Sequence, residues 1–205
     1  MIWWPGPWES GKGRCVISVV IGTHDSEVML VPTLAALVPG AVAGVVREVI
    51  VADGGSMDET EKVADVAGCR FIASAEPLGA RLSAAAAAAR ADWLLFLQPG
   101  SVLGSSWIDE VQRFVHKTTR NGSPARAAVF RPRHSGSRVS AALNQLASAL
   151  GARPRPDQGL LIAKPHYDAI GRHHADRTDP EVDLLRRVGR RQIEILRSRA
   201  GMLGD

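Results

Sequence analysis

From Val16 to Gly100 the chain alternates short apolar runs with helix-forming stretches, and each apolar run ends on a glycine or a polar residue. Val16 to Ile21 is mostly β-branched and is closed by Gly22 and Thr23, which predicts a strand buried on both faces. A first helix begins near Asp25 or Ser26, both good N-cap types. Glu48 to Ala52 is a second strand, ending at Asp53 before the Gly54–Gly55 turn, and Ser56 or Asp58 caps a short acidic helix through Val66. Arg70 to Ala73 is a third strand, Leu82 to Ala91 a strong helix former, and Trp93 to Leu97 a fourth strand. Strands alternating with helices predict an α/β fold with a doubly wound, mostly parallel sheet flanked by helices. Its ligand crevice lies beyond the carboxyl ends of the strands.

After Gly100 the pattern loosens. Helices are predicted over Ser106 to Lys117, Arg138 to Leu150, Tyr167 to Gly171 and Glu181 to Val188, with a polar turn at Asn121 to Pro124. Strands are predicted at Ala127 to Arg131, Gly159 to Ala163 and Gln192 to Leu196, and Arg153 to Pro156 reads as a linker. A chain of 205 residues that is 45% hydrophobic can bury one full core, so residues 15–200 are expected to form a single domain. Residues 1–14, with Trp3, Trp4 and Trp8 among prolines and glycines, read as a flexible lead-in without a signal-peptide pattern.

The net charge of +4 and pI near 9.6 come mainly from late arginines, Arg186, Arg187, Arg190, Arg191, Arg197 and Arg199. Such a tail can meet phosphate or anionic lipid, although a solvated helix face plus an edge strand is the simpler reading. With only 5% aromatic residues and no basic–aromatic cluster, a nucleic-acid partner is not expected. Cys15 and Cys69 show no metal-binding spacing, and a buried reduced thiol at Cys69 fits a cytoplasmic protein. Val28 to Val46 lacks charge, but Pro32, Pro39, Gly40 and Gly44 interrupt it. A buried helix followed by a turn explains it better than a transmembrane segment.

Asp53 stands where a buried strand meets a glycine pair. Its carboxylate either projects into the crevice to accept hydrogen bonds from a base or ribose, or caps its own turn; position alone does not separate the two. His173, His174 and Asp176 raise zinc, but adjacent histidines more often point apart. A nicotinamide-type fold is disfavoured because Gly22 is followed by Thr23 and His24 rather than by a GxGxxG turn. The alanine run from Ala84 to Ala89 lets a helix pack closely on the sheet and needs no ligand.

The segments VISVVIGTHDSE, EVIVADGGSMDET and PLGARLSAAAAAARADWLLFLQPGS, in this order, resemble a family 2 glycosyltransferase of the GT-A fold, and in particular a bacterial subgroup of it. The likeness runs from Val16 to roughly Arg199. It implies a nucleotide-binding half over residues 16–100 and an acceptor-side half over 101–200. By that resemblance a nucleotide-sugar donor would meet Thr23 and Asp25 at the base, Asp53 at the nucleoside and Arg81 at the diphosphate, with a snorkelling helix arginine as the alternative for Arg81. Asp58 reads as a helix cap. Asp157 and Gln158, after Pro156, match the subgroup's G-D-Q and would touch the acceptor or the sugar, or Asp157 would cap its own loop. The ungapped likeness over Tyr167 to Leu184 puts the catalytic base of an inverting transferase at Glu181. Asp183 is a possible substitute, and Asp179 reads as an N-cap before Pro180.

Relatives carry an acidic D-x-D motif after the fourth strand to hold a divalent cation. Here Gln98, Pro99 and Gly100 take its place, without the anionic oxygen that Mg²⁺ or Mn²⁺ prefers. No metal ligand is assigned, and a divalent cofactor stays open. Two functions follow. One is sugar transfer with inversion to an unknown acceptor; the other is a degenerate protein that binds a nucleotide-sugar or a protein partner without transfer. Either would be cytoplasmic, with peripheral contact to the inner membrane through the arginine tail as an option.

Overall fold

The structure, a computed structural model, describes residues 16–121, 126–132 and 153–203. The first half contains strands β1 (Ile17–Thr23), β2 (Val46–Asp53), β3 (Arg70–Ala73) and β4 (Trp93–Leu97). They alternate with helices α1 (Glu27–Val42), α2 (Thr60–Val66) and α3 (Leu78–Ala88). β5 (Ser101–Leu103), α4 (Trp107–Asn121), β6 (Ala127–Pro132), β7 (Leu160–Ala163), α5 (Lys164–Ala169), α6 (Pro180–Val188) and β8 (Ile193–Met202) follow. Single 3₁₀ turns lie at Pro156–Gln158 and Arg190–Gln192.

Among the described residues, the eight strands join one sheet in the order β3-β2-β1-β4-β7-β6-β8-β5. β3, β2, β1 and β4 are mutually parallel; β7 runs antiparallel to β4 and β6, and β5 antiparallel to β8. From β1 the chain winds outward to β2 and β3, then returns to the other side of β1 as β4. That reversal opens a crevice at the carboxyl ends of β1, β2 and β4.

Alternate residues of each central strand enter two cores. Ile17, Val19, Ile21 and Leu95 pack with Leu30, Leu34 and Leu37 of α1 and with Trp107 and Phe114 of α4. Val20, Ile50, Leu94 and Phe96 pack on the other face with Leu82, Ala85 and Ala86 of α3 and Leu184 of α6. The alanines let α3 lie close to the sheet, as the sequence predicts. At sites like Ile21, truncation to alanine costs roughly 2–5 kcal/mol.

Several expectations are revised. The first helix continues through Pro32 and Pro39 to Val42, because burial of Leu30, Leu34 and Leu37 outweighs the backbone bonds the prolines lack. It is buried on one side only, since Val28, Val31, Val38 and Val42 are exposed. α3 starts at Leu78, behind Pro77, rather than at Leu82. The last strand is ten residues long and lies inside the sheet between β6 and β5, so it is not an edge. Its arginines obscured it: Leu196, Ser198 and Ala200 are buried while Arg197 and Arg199 point outward, an alternation of period two. Arg187 is not a free tail charge either, because it pairs with Asp183 and donates to the carbonyl of Ile170 at 2.6 Å. The lead-in, the helix expected at Arg138 to Leu150 and most of the turn at Asn121 to Pro124 lie outside the described residues. Among the described residues, no helix is long and apolar enough to cross a membrane.

Candidate active site

At the end of β2, Asp53 turns its carboxylate inward. Oδ2 accepts the backbone N–H groups of Gly55 at 2.8 Å and Ser56 at 2.7 Å, while Oδ1 accepts the hydroxyls of Thr23 at 2.8 Å and Ser56. The residue is 1% exposed. Burial alone would raise its pKa, but the bonds from Ser56, Thr23 and Gly55 outweigh that and hold the carboxyl below the ordinary aspartate range. The geometry is that of an Asx turn rather than of a carboxylate reaching into the crevice. Thr23, expected at a base pocket, is likewise buried, with its hydroxyl spent on Asp53.

Asp25 is exposed, with φ of 45°, and accepts the N–H of Met57 at 2.7 Å, while its own N–H donates to Ser56 Oγ at 2.8 Å. His24 beside it contacts the carbonyl of Gly54 through Nδ1 at 3.2 Å. The N-cap of α2 is Glu59 rather than Ser56 or Asp58; Asp58, one residue earlier, accepts the N–H of Thr60 through Oδ1 at 3.0 Å and that of Glu27 through Oδ2 at 2.9 Å. It thereby ties the first turns of α1 and α2 together.

Arg81 reaches from α3 over the strand ends. Its Nη1 donates to the carbonyls of Thr23 at 2.8 Å and Ala52 at 2.6 Å, and Nε to that of Glu76 at 3.1 Å. A Cβ at position 54 would stand 2.9 Å from Nη2, so only glycine admits the guanidinium here. Arg81 is in the crevice, but these contacts are to backbone.

The loop after β4 is a type II turn. Pro99 and Gly100 occupy its centre, Gly100 has φ of 90°, and the N–H of Ser101 closes on the carbonyl of Gln98 at 3.1 Å. The N–H of Gly100 is tied to α1 through the Met29 carbonyl at 2.7 Å and Thr33 Oγ1 at 2.8 Å. The turn aims Gln98 across the crevice, where its Nε2 donates to Glu181 Oε2 at 2.7 Å. The residue that stands where the acidic motif was expected and the residue expected to be the base are therefore bonded partners.

Glu181 sits in the first turn of α6 beside a cavity of about 10 Å³ lined by Phe96, Pro156, Leu160, His173 and Leu185. Burial raises its pKa; the Gln98 amide pulls it down in part, and the charge of Asp179 pushes it further up. Asp183 differs: despite the upward push of burial, Arg187, Arg177 and His174 hold its carboxyl low, which makes it the poorer proton acceptor. Asp179 takes the N-cap position of α6 through its backbone and makes no side-chain cap bond.

His173 packs edge-on against Phe96, with Nδ1 2.8 Å from the hydroxyl of Tyr167. Burial first, then the charge of Arg187, drives its pKa down to about 3, so it stays neutral. His174 turns the other way, toward Asp183. Asp157 pairs with Arg155, and Gln158 is buried, donating to the Phe130 carbonyl at 2.8 Å and accepting the Arg155 N–H at 2.7 Å. Gln158 thus pins the 3₁₀ turn ahead of β7.

A hard divalent cation does not fit the loop after β4. Gln98 commits its amide to Glu181, Pro99 and Gly100 bring no side-chain oxygen, and among the described residues no group of three His, Cys, Asp or Glu could hold a metal ion. Two partnerships were not foreseen from sequence, Ser56 with Asp53 and Gln98 with Glu181. The Pro99–Gly100 pair was the available signal for the second, since it specifies a turn that swings Gln98 away from the β4 axis.

The parallel β3-β2-β1-β4 half, with its crevice at the switch point, has the GT-A-type architecture of the solved structures it resembles. A sequence model of glycosyl transferase family 2 matches residues 18–121, and the chain belongs to that family. Solved structures of glucosyl-3-phosphoglycerate synthase from Mycobacterium tuberculosis share the fold. The complex with phosphoglyceric acid is 23% identical with a TM-score of 0.64, over 93% of this chain and 72% of that one. The complex with Mn²⁺, uridine-diphosphate and glucosyl-3-phosphoglycerate is 23% identical with a TM-score of 0.64, over 98% and 78%. No curated protein sequence matches the chain significantly.

Proposed function

We propose that the chain transfers a sugar, with inversion, from a nucleotide-sugar in the crevice at β1, β2 and β4 to an acceptor hydroxyl. The observation that carries this reading is the Glu181 carboxylate, half-buried, raised in pKa and bonded to Gln98 at the end of β4. Glu181 accepts the hydroxyl proton as the acceptor oxygen attacks the anomeric carbon, and the nucleoside diphosphate leaves with the bonding electrons. The donor side is formed by the clasped turn of Asp53 with Thr23, by exposed Asp25 and by the guanidinium of Arg81, whose positive charge faces the leaving diphosphate. Asp53 acts through the shape of the turn. Asp157 and Gln158 support the acceptor side. The free Cys69, whose thiol burial pushes up to about 11, supports a cytoplasmic setting.

The M. tuberculosis synthase has been crystallised with Mn²⁺, UDP-glucose and phosphoglyceric acid, which makes UDP-glucose the first donor to test. Incubation with a panel of nucleotide-sugars, with and without Mn²⁺, while nucleotide release is followed, tests the proposal. Turnover that Glu181→Gln abolishes supports it, and the absence of both turnover and donor binding overturns it. The Gln98–Pro99–Gly100 loop favours a second reading, a donor-binding protein without transfer. Thermal stabilisation by a donor without nucleotide release selects that one.

A further inference from the structure

Helix α1 presents Val28, Val31, Ala35, Val38 and Val42 to solvent, at intervals of three, four, three and four residues. The four valines are 74%, 52%, 57% and 84% exposed. Leu30, Leu34 and Leu37 hold the opposite face on the sheet, and Glu27 and buried Thr33 are the helix's polar side chains. The helix is thus apolar all round while one side is open to water, a state that ordinarily calls for a covering partner. A strict three-four spacing is the seam along which one helix packs on another. From Val28 to Val42 this seam runs about 21 Å.

The charges at its two ends select the partner. The amino end is acidic, with Glu27 and the exposed Asp25 and Glu59. Near the carboxyl end stands Arg47, the first charge after the helix. Ile17 pairs with Val46 and Ser18 with Glu48, so Arg47 is the extra residue of a bulge, and it is exposed. A second copy laid antiparallel, with the two-fold axis at Ala35, sets Val28 opposite Val42 and Val31 about one residue's rise, roughly 1.5 Å, from Val38, and brings each acidic end to the partner copy's Arg47 end. Parallel pairing would oppose like charges at both ends. An anionic lipid surface is a poorer match, because neighbouring α2 and its N-cap present Glu59, Glu61 and Asp65 against the single cation Lys62. We propose that the α1 stripe is the two-fold contact of an antiparallel homodimer of this chain.

Sedimentation of the full chain tests the dimer, and cross-linking tests its geometry. The expected mass is twice 21.9 kDa. Val38→Glu, at an exposed position, weakens association by at least about 100-fold while the far-ultraviolet circular dichroism of the folded chain is unchanged. Under oxidation Ala35→Cys links to itself. Val28→Cys links to a Val42→Cys copy and not to itself, with the oxidised wild type controlling for Cys15 and Cys69. A monomer at every concentration overturns the proposal, as does self-linking by Val28→Cys. A monomer whose binding to anionic vesicles is lost with Val38→Glu would give the face to a membrane. A monomer whose tryptophan emission shifts with that change would give it to residues 1–14. Either outcome overturns the dimer.

Discussion

Two carboxylates border the same crevice on opposite terms. Asp53, at the end of β2, accepts four hydrogen bonds, two from backbone N–H groups and two from hydroxyls, and its pKa falls below the aspartate range. Glu181, in the first turn of α6, accepts one bond from the Gln98 amide, and burial lifts its pKa above the glutamate range. Burial pushes both upward, so the number of donors decides the sign. A carboxylate saturated with donors holds backbone in place and is a weak base. One that is half-buried and thinly supported binds a proton more readily, as a general base requires.

The sharpest way to break this contrast is Glu181→Gln. With a donor and acceptor in hand, it is expected to lower kcat by about 10²–10⁴-fold while calorimetry finds donor affinity unchanged. A parallel loss of donor affinity would erase the distinction between the two regions. Asp53→Ala should act in the opposite way. It leaves two N–H groups and two hydroxyls without their acceptor, so urea unfolding should show a loss of roughly 2–4 kcal/mol, accompanied by weaker donor binding. An unchanged unfolding midpoint would remove Asp53 as the anchor of the turn.

Acid separates the regions by pH. Glu181 has a raised folded pKa, so activity should fall first, as pH drops through a value above the ordinary glutamate one. Asp53 has a lowered folded pKa. Its contribution to stability is full above the ordinary value of 3.8 and is lost only as pH falls through the lower folded value. A pH–rate profile beside a pH–melting curve should therefore show activity lost while the fold persists. Gln98→Ala removes the donor that favours the ionised Glu181 and should move the acidic limb of kcat/KM to higher pH; an unmoved limb would mean that the amide does not tune the base. The smallest effect is expected from Thr23→Val, which removes one of the four donors to Asp53. A loss of about 1 kcal/mol in urea unfolding would match that share.

The alternation of apolar runs and helix formers determined the parallel β3-β2-β1-β4 half, because a strand buried on both faces has few other ways to satisfy its backbone. Motif order was enough to name the family that residues 18–121 then matched. β5 and most of β8 were not legible. Three residues carry no period, and the alternation from Leu196 to Ala200 is masked by arginines whose heads stay in water while the strand packs between β6 and β5. The inward turn of Asp53 was open from sequence, since an aspartate at a strand end serves a ligand or its own bend equally well. Only the placement of Thr23 and Ser56 around it decided the matter. The Gln98–Glu181 bond joins residues 83 apart. No local pattern encodes it, because the type II turn after β4 and the packing of α6 on Phe96 and Leu160 must both form before the two side chains meet.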